Sequence, residues 1–298
     1  MLGIALIRKC IEEDCEVTAI VRNNSGNLHR LEAFPGINII CCDITEYSNL
    51  EIQGNHQYDV FYHLAWCGTN NKYHEDADLQ SSNIRYTLDA IALAKRLGCN
   101  KFIGAGSQTE YGPFNAPMKE DGPANPKSAY GKAKYMAGIN GAQKARELNI
   151  EFVWTRIFSV YGIFDRENTL TMHCLSSFIR GNKLELTKCE QIWEFLNSRD
   201  AAQAFYLIGM KGISQSVYNI GSGEGRLLKE FVTLIRDIVA PGEQISFGAK
   251  DYNPNQTMFL VADISNLRKD TGFEPTIKFE DGIKELSKWY KEEYFEED

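Results

Sequence analysis

The chain has 298 residues, 43% of them hydrophobic, which exceeds one average domain and suits one large core carrying a smaller lobe. With 32 Lys and Arg against 40 Asp and Glu the formal charge is −8, and no Lys/Arg-rich run occurs, which argues against a nucleic-acid surface. The eight cysteines form no Cys-x-x-Cys and no Cys/His cluster at zinc spacing, no run approaches ~18 apolar residues, and the apolar opening before Arg8 is too short for a signal peptide, so we expect no metal, no membrane and a cytoplasmic location.

Taken in order, the chain reads as a helix over 3–13, a strand over 16–21 ending in Val21-Arg22-Asn23-Asn24-Ser25, and a strand over 37–42 followed by Asp43. Cys41 and Cys42 in that strand read as reduced core residues. A strand over 58–64 runs into His63-Leu-Ala-Trp66, a helix covers 79–97 with Asn83 inside it, and a strand covers 101–105. A helix over 129–147 and a strand over 151–156 follow. This alternation predicts parallel strands joined by right-handed crossovers. Further on, 216–220 reads as a strand and 227–235 as an amphipathic helix, with Gly221-Ser-Gly-Glu-Gly225 between them as a turn rather than a phosphate loop, because it arrives too late to open the first βαβ unit. His173 and Cys174 fall in a helical region and do not make a metal site. A terminal helix over 283–294 shows a packing face of Ile283, Leu286, Trp289 and Tyr290, and the acidic end 292–298 reads as a solvated helix end.

The chemistry concentrates in two stretches, Gly104-Ala-Gly-Ser-Gln-Thr-Glu-Tyr-Gly112 and Ser128-Ala-Tyr-Gly-Lys-Ala-Lys134. Tyr130 and Lys134 are four residues apart on a helix and share a face, so the ammonium can lie beside the phenol and lower its pKa. Such spacing also occurs on solvated helix faces. Ser107 follows an apolar strand, and open α/β sheets bind ligands beyond the carboxyl ends of their strands.

At these residues the chain resembles the extended short-chain dehydrogenase/reductase family, the branch of nucleotide-sugar epimerases, dehydratases and 4-ketoreductases. The resemblance runs nearly the whole length, through His63-Leu-Ala-Trp66, Asn83, Arg156-Ile-Phe-Ser-Val-Tyr-Gly162, Tyr218-Asn-Ile-Gly-Ser-Gly223, Ala262-Asp-Ile-Ser265 and Gly272-Phe-Glu-Pro275. It implies an α/β fold: a Rossmann-like doubly wound parallel sheet with a smaller α/β substrate lobe. The cofactor domain is expected over 1–157, with 197–220 returning to it, and the substrate lobe over 158–196 and 221–298. It also implies Tyr130 as proton donor, Lys134 as tuner of its pKa and ribose ligand, and Ser107 as the hydroxyl that orients a substrate carbonyl. Leu64, Ala65 and Asn83 match the family's cofactor contacts, and a homodimer using the Tyr130 helix is expected. The family's first strand and the first two glycines of its Gly-x-x-Gly-x-x-Gly turn have no counterpart here; Met1-Leu-Gly3 aligns only with the last glycine, so Gly3 is its remaining cofactor residue. A start assigned too late, or a trimmed chain, is the expected reason.

At the end of the second family strand an NAD site would carry an acid for the ribose 2′-hydroxyl, whereas this chain has Arg22, which suits a 2′-phosphate. NADP is therefore expected over NAD. Asp43 matches the family's adenine-edge acid and equally suits a turn start. Dehydratases of the family place acidic residues directly after the Ser/Thr; here Gln108 and Thr109 cannot do that acid/base work. The segment Gln191-Ile-Trp-Glu-Phe-Leu-Asn-Ser-Arg-Asp200 is similar to deoxysugar synthases that reduce a CDP-linked 4-keto sugar. In the substrate lobe Ser159 stands where the family has asparagine and Trp193 where it often has a diphosphate-binding arginine, leaving Lys183, Lys188 and Arg199 as candidate cations. Thr109, Ser159 and Trp193 are the expected substrate contacts. The reading is NADP-dependent reduction of a keto sugar, nucleotide-linked as the resemblance implies; the alternatives are an NAD-dependent nucleotide-sugar 4-epimerase and a non-catalytic nucleotide or sugar binder.

Overall fold

The computed structural model describes residues 1–23, 25–52 and 57–295. Asn24 and the last three acidic residues, 296–298, lie outside them. In chain order the elements are α1 Leu2–Glu12, β1 Thr18–Val21, β2 Asn38–Cys41, β3 Val60–His63, α2 Ala77–Arg96, β4 Lys101–Ser107, α3 Ala129–Glu147 and β5 Glu151–Ile157. The second half has β6 Val160–Tyr161, α4 Leu170–Ile179, β7 Leu184–Leu186, β8 Ile192–Trp193, β9 Leu196–Asn197, α5 Ser198–Lys211, β10 Val217–Ile220, β11 Arg226–Leu227, α6 Leu228–Val239, β12 Ile245–Phe247, β13 Phe259–Leu260, α7 Ser265–Thr271 and α8 Phe279–Phe295.

Strands β3, β4, β5 and β10 form a parallel sheet in the order β10-β5-β4-β3. The central strand β4 is buried along all seven residues, which is why it reads as one apolar run rather than an alternation. It extends two residues beyond the expected strand, to Ser107, because its carboxyl end stays paired with Arg156 and Ile157 of β5. Register brings His63 beside Gly104, Ser107 beside Ile157 and Ile220 beside Ile157, so several strands end at one edge. β1 and β2 pair in parallel as a separate two-stranded ladder. Among the described residues β1 pairs only with β2 and β3 only with β4, so the parallel sheet is in two pieces. Thr18 and Tyr58 bridge them through their hydroxyls at 3.2 Å.

Helices α2 and α3 cover one sheet face, starting at Asp76 and Ser128, whose side chains accept from Leu79 and Gly131 amides at 3.0 Å. The inner stripe of α3 is small, with Ala133, Ala137, Gly138, Gly141 and Ala145 buried. A side chain at Gly138 would stand 2.9 Å from the Trp154 indole, so this stripe lets the helix approach the sheet closely. Phe61, Phe102, Phe152 and Trp154 stack in sequence beneath it. The opposite face carries α1 and α5, whose Phe205 and Ile208 join one core with Ile103 and Val153 of the sheet. Each such apolar side chain contributes about 1.5–3 kcal/mol on burial.

A second core joins α4, α6 and α8 through Phe178, Phe231, Val232, Ile235, Phe279, Ile283 and Tyr290. The apolar spacings expected for the last two helices lie on buried faces, although Leu227 belongs to β11 and is exposed, and Trp289 is only partly buried. One expectation is corrected in β2. Only Cys42 is buried; Cys41 is exposed, since adjacent strand residues face opposite sides.

Candidate active site

Ser107 ends β4 and caps the short 3-10 turn Gln108–Glu110. Its amide donates to Glu110 Oε1 at 2.9 Å, and its hydroxyl accepts from the Thr109 amide at 3.2 Å and the Thr109 hydroxyl at 2.9 Å. Buried Glu110 is held in turn by Arg156 Nε at 2.9 Å and Trp154 Nε1 at 3.0 Å. A Cβ on Gly106 would lie 2.3 Å from Glu110 Oε1, so glycine there makes room for the carboxylate that locks the Ser107 turn. This is a charge-assisted clamp, and it leaves the serine little freedom.

Tyr130 and Lys134 project from the first turns of α3. Burial pushes the Tyr130 phenol's pKa up to about 12, against an opposing pull from the nearby Ser107 hydroxyl. Lys134 is buried, donates to the Ala105 carbonyl at 2.6 Å and sits 3.7 Å from the centre of the Trp66 ring. Burial brings its pKa down to about 7. The expectation that the lysine lowers the phenol's pKa is corrected: its ammonium is 5.8 Å from the Tyr130 ring centre and is engaged by Ala105 and Trp66, while desolvation governs the phenol.

The loop after β3 and the start of α2 bring in His74 and Gln80, which the motifs did not single out, beside Trp66 and Asn83, which they did. Trp66 meets Tyr130 edge-on, with ring centres 6.1 Å apart, and His74 stacks on Tyr130 at 4.3 Å with planes 5° apart. Gln80, fully buried on α2, accepts from Trp66 Nε1 at 2.9 Å and donates to the Gly68 and Tyr73 carbonyls at 2.9 and 3.0 Å. Asn83 is equally buried; it accepts from the Cys67 amide at 2.7 Å and donates to the Cys67 and Leu79 carbonyls. Its amide shapes the loop backbone. An apolar segment followed by buried Gln and Asn one turn apart on a helix was the available signal.

The remaining expected cofactor positions lie at the carboxyl ends of β1, β2 and β3. Arg22 is exposed after β1, and Ala65 is exposed beyond β3 with Leu64 half-buried. Asp43 caps a 3-10 turn, its Oδ1 accepting from the Thr45 amide at 3.0 Å and hydroxyl at 2.8 Å; those bonds hold its carboxyl below the usual range. Gly3 lies in the first turn of α1, where an added Cβ would meet nothing within 4 Å.

The two departures in the second lobe are brought together: Trp193 Nε1 donates to Ser159 Oγ at 2.8 Å. Lys183 and Arg199 are engaged by Glu185 and Glu285 at 2.7 Å. Lys188 lines a cavity of about 280 Å³ with Glu190, Lys229 and Phe247. Arg226, which the motifs did not suggest, is the cross-strand partner of Trp193. The 221–225 loop wraps a carboxylate of the chain's own: Glu194, fully buried, accepts from Ser222 Oγ at 3.1 Å and the Gly223 amide at 2.7 Å. Burial raises its pKa to about 8. Among the described residues no group of three or more His, Cys, Asp or Glu is placed to hold a metal, and no helix is long and apolar enough to cross a membrane.

A Rossmann-like parallel sheet with Ser, Tyr and Lys gathered at its carboxyl edge defines a class of nucleotide-cofactor enzymes. The chain belongs to the NAD dependent epimerase/dehydratase family, which it matches over residues 1–221. It is similar to UDP-glucuronic acid decarboxylase 1 of Xenopus tropicalis, 23% identical over 98% of this chain and 70% of that protein. It is similar also to dTDP-4-dehydro-6-deoxyglucose reductase of Escherichia coli, 25% identical over 80% of this chain and 77% of that one. Among solved structures, the UDP-glucose 4-epimerase of Thermotoga maritima with UDP-glucose superposes with a TM-score of 0.87, at 21% identity, over 98% of this chain and 96% of that one. The protein is therefore an enzyme of NAD-dependent sugar-nucleotide chemistry.

Proposed function

We propose that this enzyme reduces the keto group of a nucleotide-linked sugar, with NADPH as the reductant. The observation that carries the reading is the nearness of the Tyr130 phenol to the Ser107 hydroxyl at the sheet edge, beside Gln108 and Thr109. An amide and an alcohol next to the serine cannot remove or deliver the further protons that an elimination needs, so the site is equipped for one protonation coupled to hydride transfer. The similarity to a dTDP-4-dehydro-6-deoxyglucose reductase supports the same class of substrate.

The residues present fit a dinucleotide: α1 begins with open space at Gly3, and Arg22, Asp43 and Ala65 lie at consecutive strand ends leading to Tyr130 and Lys134. Bound there, the group supplies the hydride. Arg22 would hold a ribose 2′-phosphate by charge-assisted hydrogen bonds, whereas an acid at that position would repel it. Tyr130 keeps its proton at neutral pH because its pKa lies near 12, and it gives that proton to the substrate oxygen as charge develops there. Ser107, fixed by Glu110 and Thr109, orients the carbonyl. Lys134 would hold the cofactor ribose; burial brings its pKa down to about 7. Trp193 and Ser159 form the wall met by the substrate's far end. The enzyme works as a homodimer through α2 and α3, where Met136 and Ile139 are 41% and 46% exposed, and its eight free cysteines suit a reducing cytoplasm.

The test is oxidation of NADPH and of NADH in the presence of dTDP-4-dehydro-6-deoxyglucose and its UDP- and CDP-linked counterparts. The reading expects substrate-dependent NADPH oxidation with at least one of them. Interconversion of UDP-sugars at carbon 4 without net cofactor turnover would replace it by the epimerase reading.

A further inference from the structure

Tyr130 is held by its neighbours in three ways. Its backbone N–H, one of the amides left open at a helix start, donates to the His74 carbonyl at 2.9 Å. Its ring lies flat against the His74 imidazole, with centres 4.3 Å apart, and a third contact comes from the Trp66 edge. One residue thus fixes both the main chain and the ring plane of the tyrosine.

His74 is itself tied down. The Thr69 carbonyl beside its imidazole accepts from Arg166 Nη1 at 3.1 Å, and the preceding carbonyl, of Tyr73, accepts from buried Gln80 at 3.0 Å. Nε2 is buried and has no hydrogen-bond partner, which suits a neutral ring whose role is its face. Burial lowers the imidazole's pKa, with Glu75 and Arg166 acting on it in opposite directions; Glu110, Arg166 and Lys134 are the charges around the phenol. The loop is short of freedom in turn, since Asn83 clamps Cys67 and Gly68 holds φ at +77°, where a side chain would meet Leu79 and Gln80 at under 3 Å.

We propose that His74 is a positioning residue for Tyr130: its carbonyl and its imidazole face, anchored to α2 through Gln80, hold the phenol in the orientation from which it reaches both Ser107 and a substrate carbonyl. The inference rests on the reading of Tyr130 as proton donor. Stacking holds a ring plane without fixing its charge, so the requirement is a flat surface of aromatic size at this position. A displaced donor loses rate before it loses substrate affinity.

The test uses the full chain with His74→Ala and His74→Phe. For His74→Ala we expect kcat for the keto-sugar reduction to fall roughly 10- to 100-fold, with KM and NADPH affinity within about 3-fold of wild type; His74→Phe recovers most of the loss. An unchanged kcat in His74→Ala, a loss confined to KM, or a His74→Phe variant no better than alanine overturns the proposal. A second readout needs no substrate. In NMR spectra of histidine-labelled protein the His74 ring protons should lie upfield of the exposed histidines, and Tyr130→Leu should abolish that shift. An unshifted His74 signal in wild type overturns the stacking outright. If no keto sugar is reduced by wild type, the reductase reading fails while the NMR comparison still decides the role of His74.

Discussion

Trp193 and Ser159 are joined by a hydrogen bond of 2.8 Å between the indole Nε1 and the serine Oγ. They come from segments more than thirty positions apart, and each replaces a residue that the resembled family uses for its substrate. The pair behaves as one unit. Ser159→Ala leaves a half-buried indole N–H without its acceptor, at a cost of about 1–3 kcal/mol. Trp193→Phe removes the donor and leaves a hydroxyl that water can serve. We expect the double variant to be less impaired than the sum of the single ones, by roughly 0.5–3 kcal/mol in a double-mutant cycle on substrate KM and on thermal stability. Strict additivity would show that the two side chains act separately.

Tyr130→Phe keeps the ring, its stacking on His74 and its edge contact with Trp66, and removes only the hydroxyl. Turnover should fall ~10²-fold or more, with NADPH binding little changed, as read by steady-state kinetics and fluorescence titration. A fully active variant would sink the assignment of this tyrosine as donor.

Arg22 is exposed at the end of β1, so replacing it tests cofactor choice without disturbing a core. Arg22→Asp should weaken NADPH binding on the order of 10- to 100-fold and leave NADH binding equal or better, because the acid repels a 2′-phosphate and accepts from a 2′-hydroxyl. Equal losses for both nucleotides would assign the arginine to the pyrophosphate or to solvent.

Glu194 predicts a pH dependence of stability whose sign is opposite to that of an ordinary paired acid. Its pKa rises from 4.5 to about 8 on folding, so between those values the unfolded chain releases a proton that the folded chain retains. Stability therefore falls as pH rises through that window, and the loss is complete above pH 8. Glu194→Gln, nearly the shape of the protonated acid, should flatten this slope and raise the unfolding midpoint at pH 8 relative to wild type. Denaturation curves at pH 5, 6, 7 and 8 check it; parallel slopes in the two proteins would contradict it.

The alternation of helix and parallel strand was readable because 79–97 and 129–147 are long helices with capped starts and the intervening strand is an uninterrupted apolar run, signals that tertiary context rarely reverses. Ser107, Tyr130 and Lys134 were readable as a set because strand order alone sends a residue at the end of β4 and one at the start of α3 to the same edge. What the lysine does there was not readable. Helical spacing places Lys134 beside Tyr130, but the competing attractions of the Ala105 carbonyl and the Trp66 ring come from a strand and a loop that share no periodicity with α3. The same holds for His74 and Gln80, and for the glycine loop, whose anion is supplied by Glu194 on another strand. Helix α5 and the two-residue strands of the second lobe went unnamed, the strands because two residues carry no period at all.

The residues proposed for the cofactor and for the proton sit on different strands. Arg22 and Asp43 ride on the β1–β2 pair, while Ser107 and the clamp of Glu110 and Arg156 ride on the four-stranded sheet, and among the described residues no strand ladder joins the two. Arg22→Asp should therefore leave the Ser107 turn, held by Glu110 and Arg156, as it is in wild type.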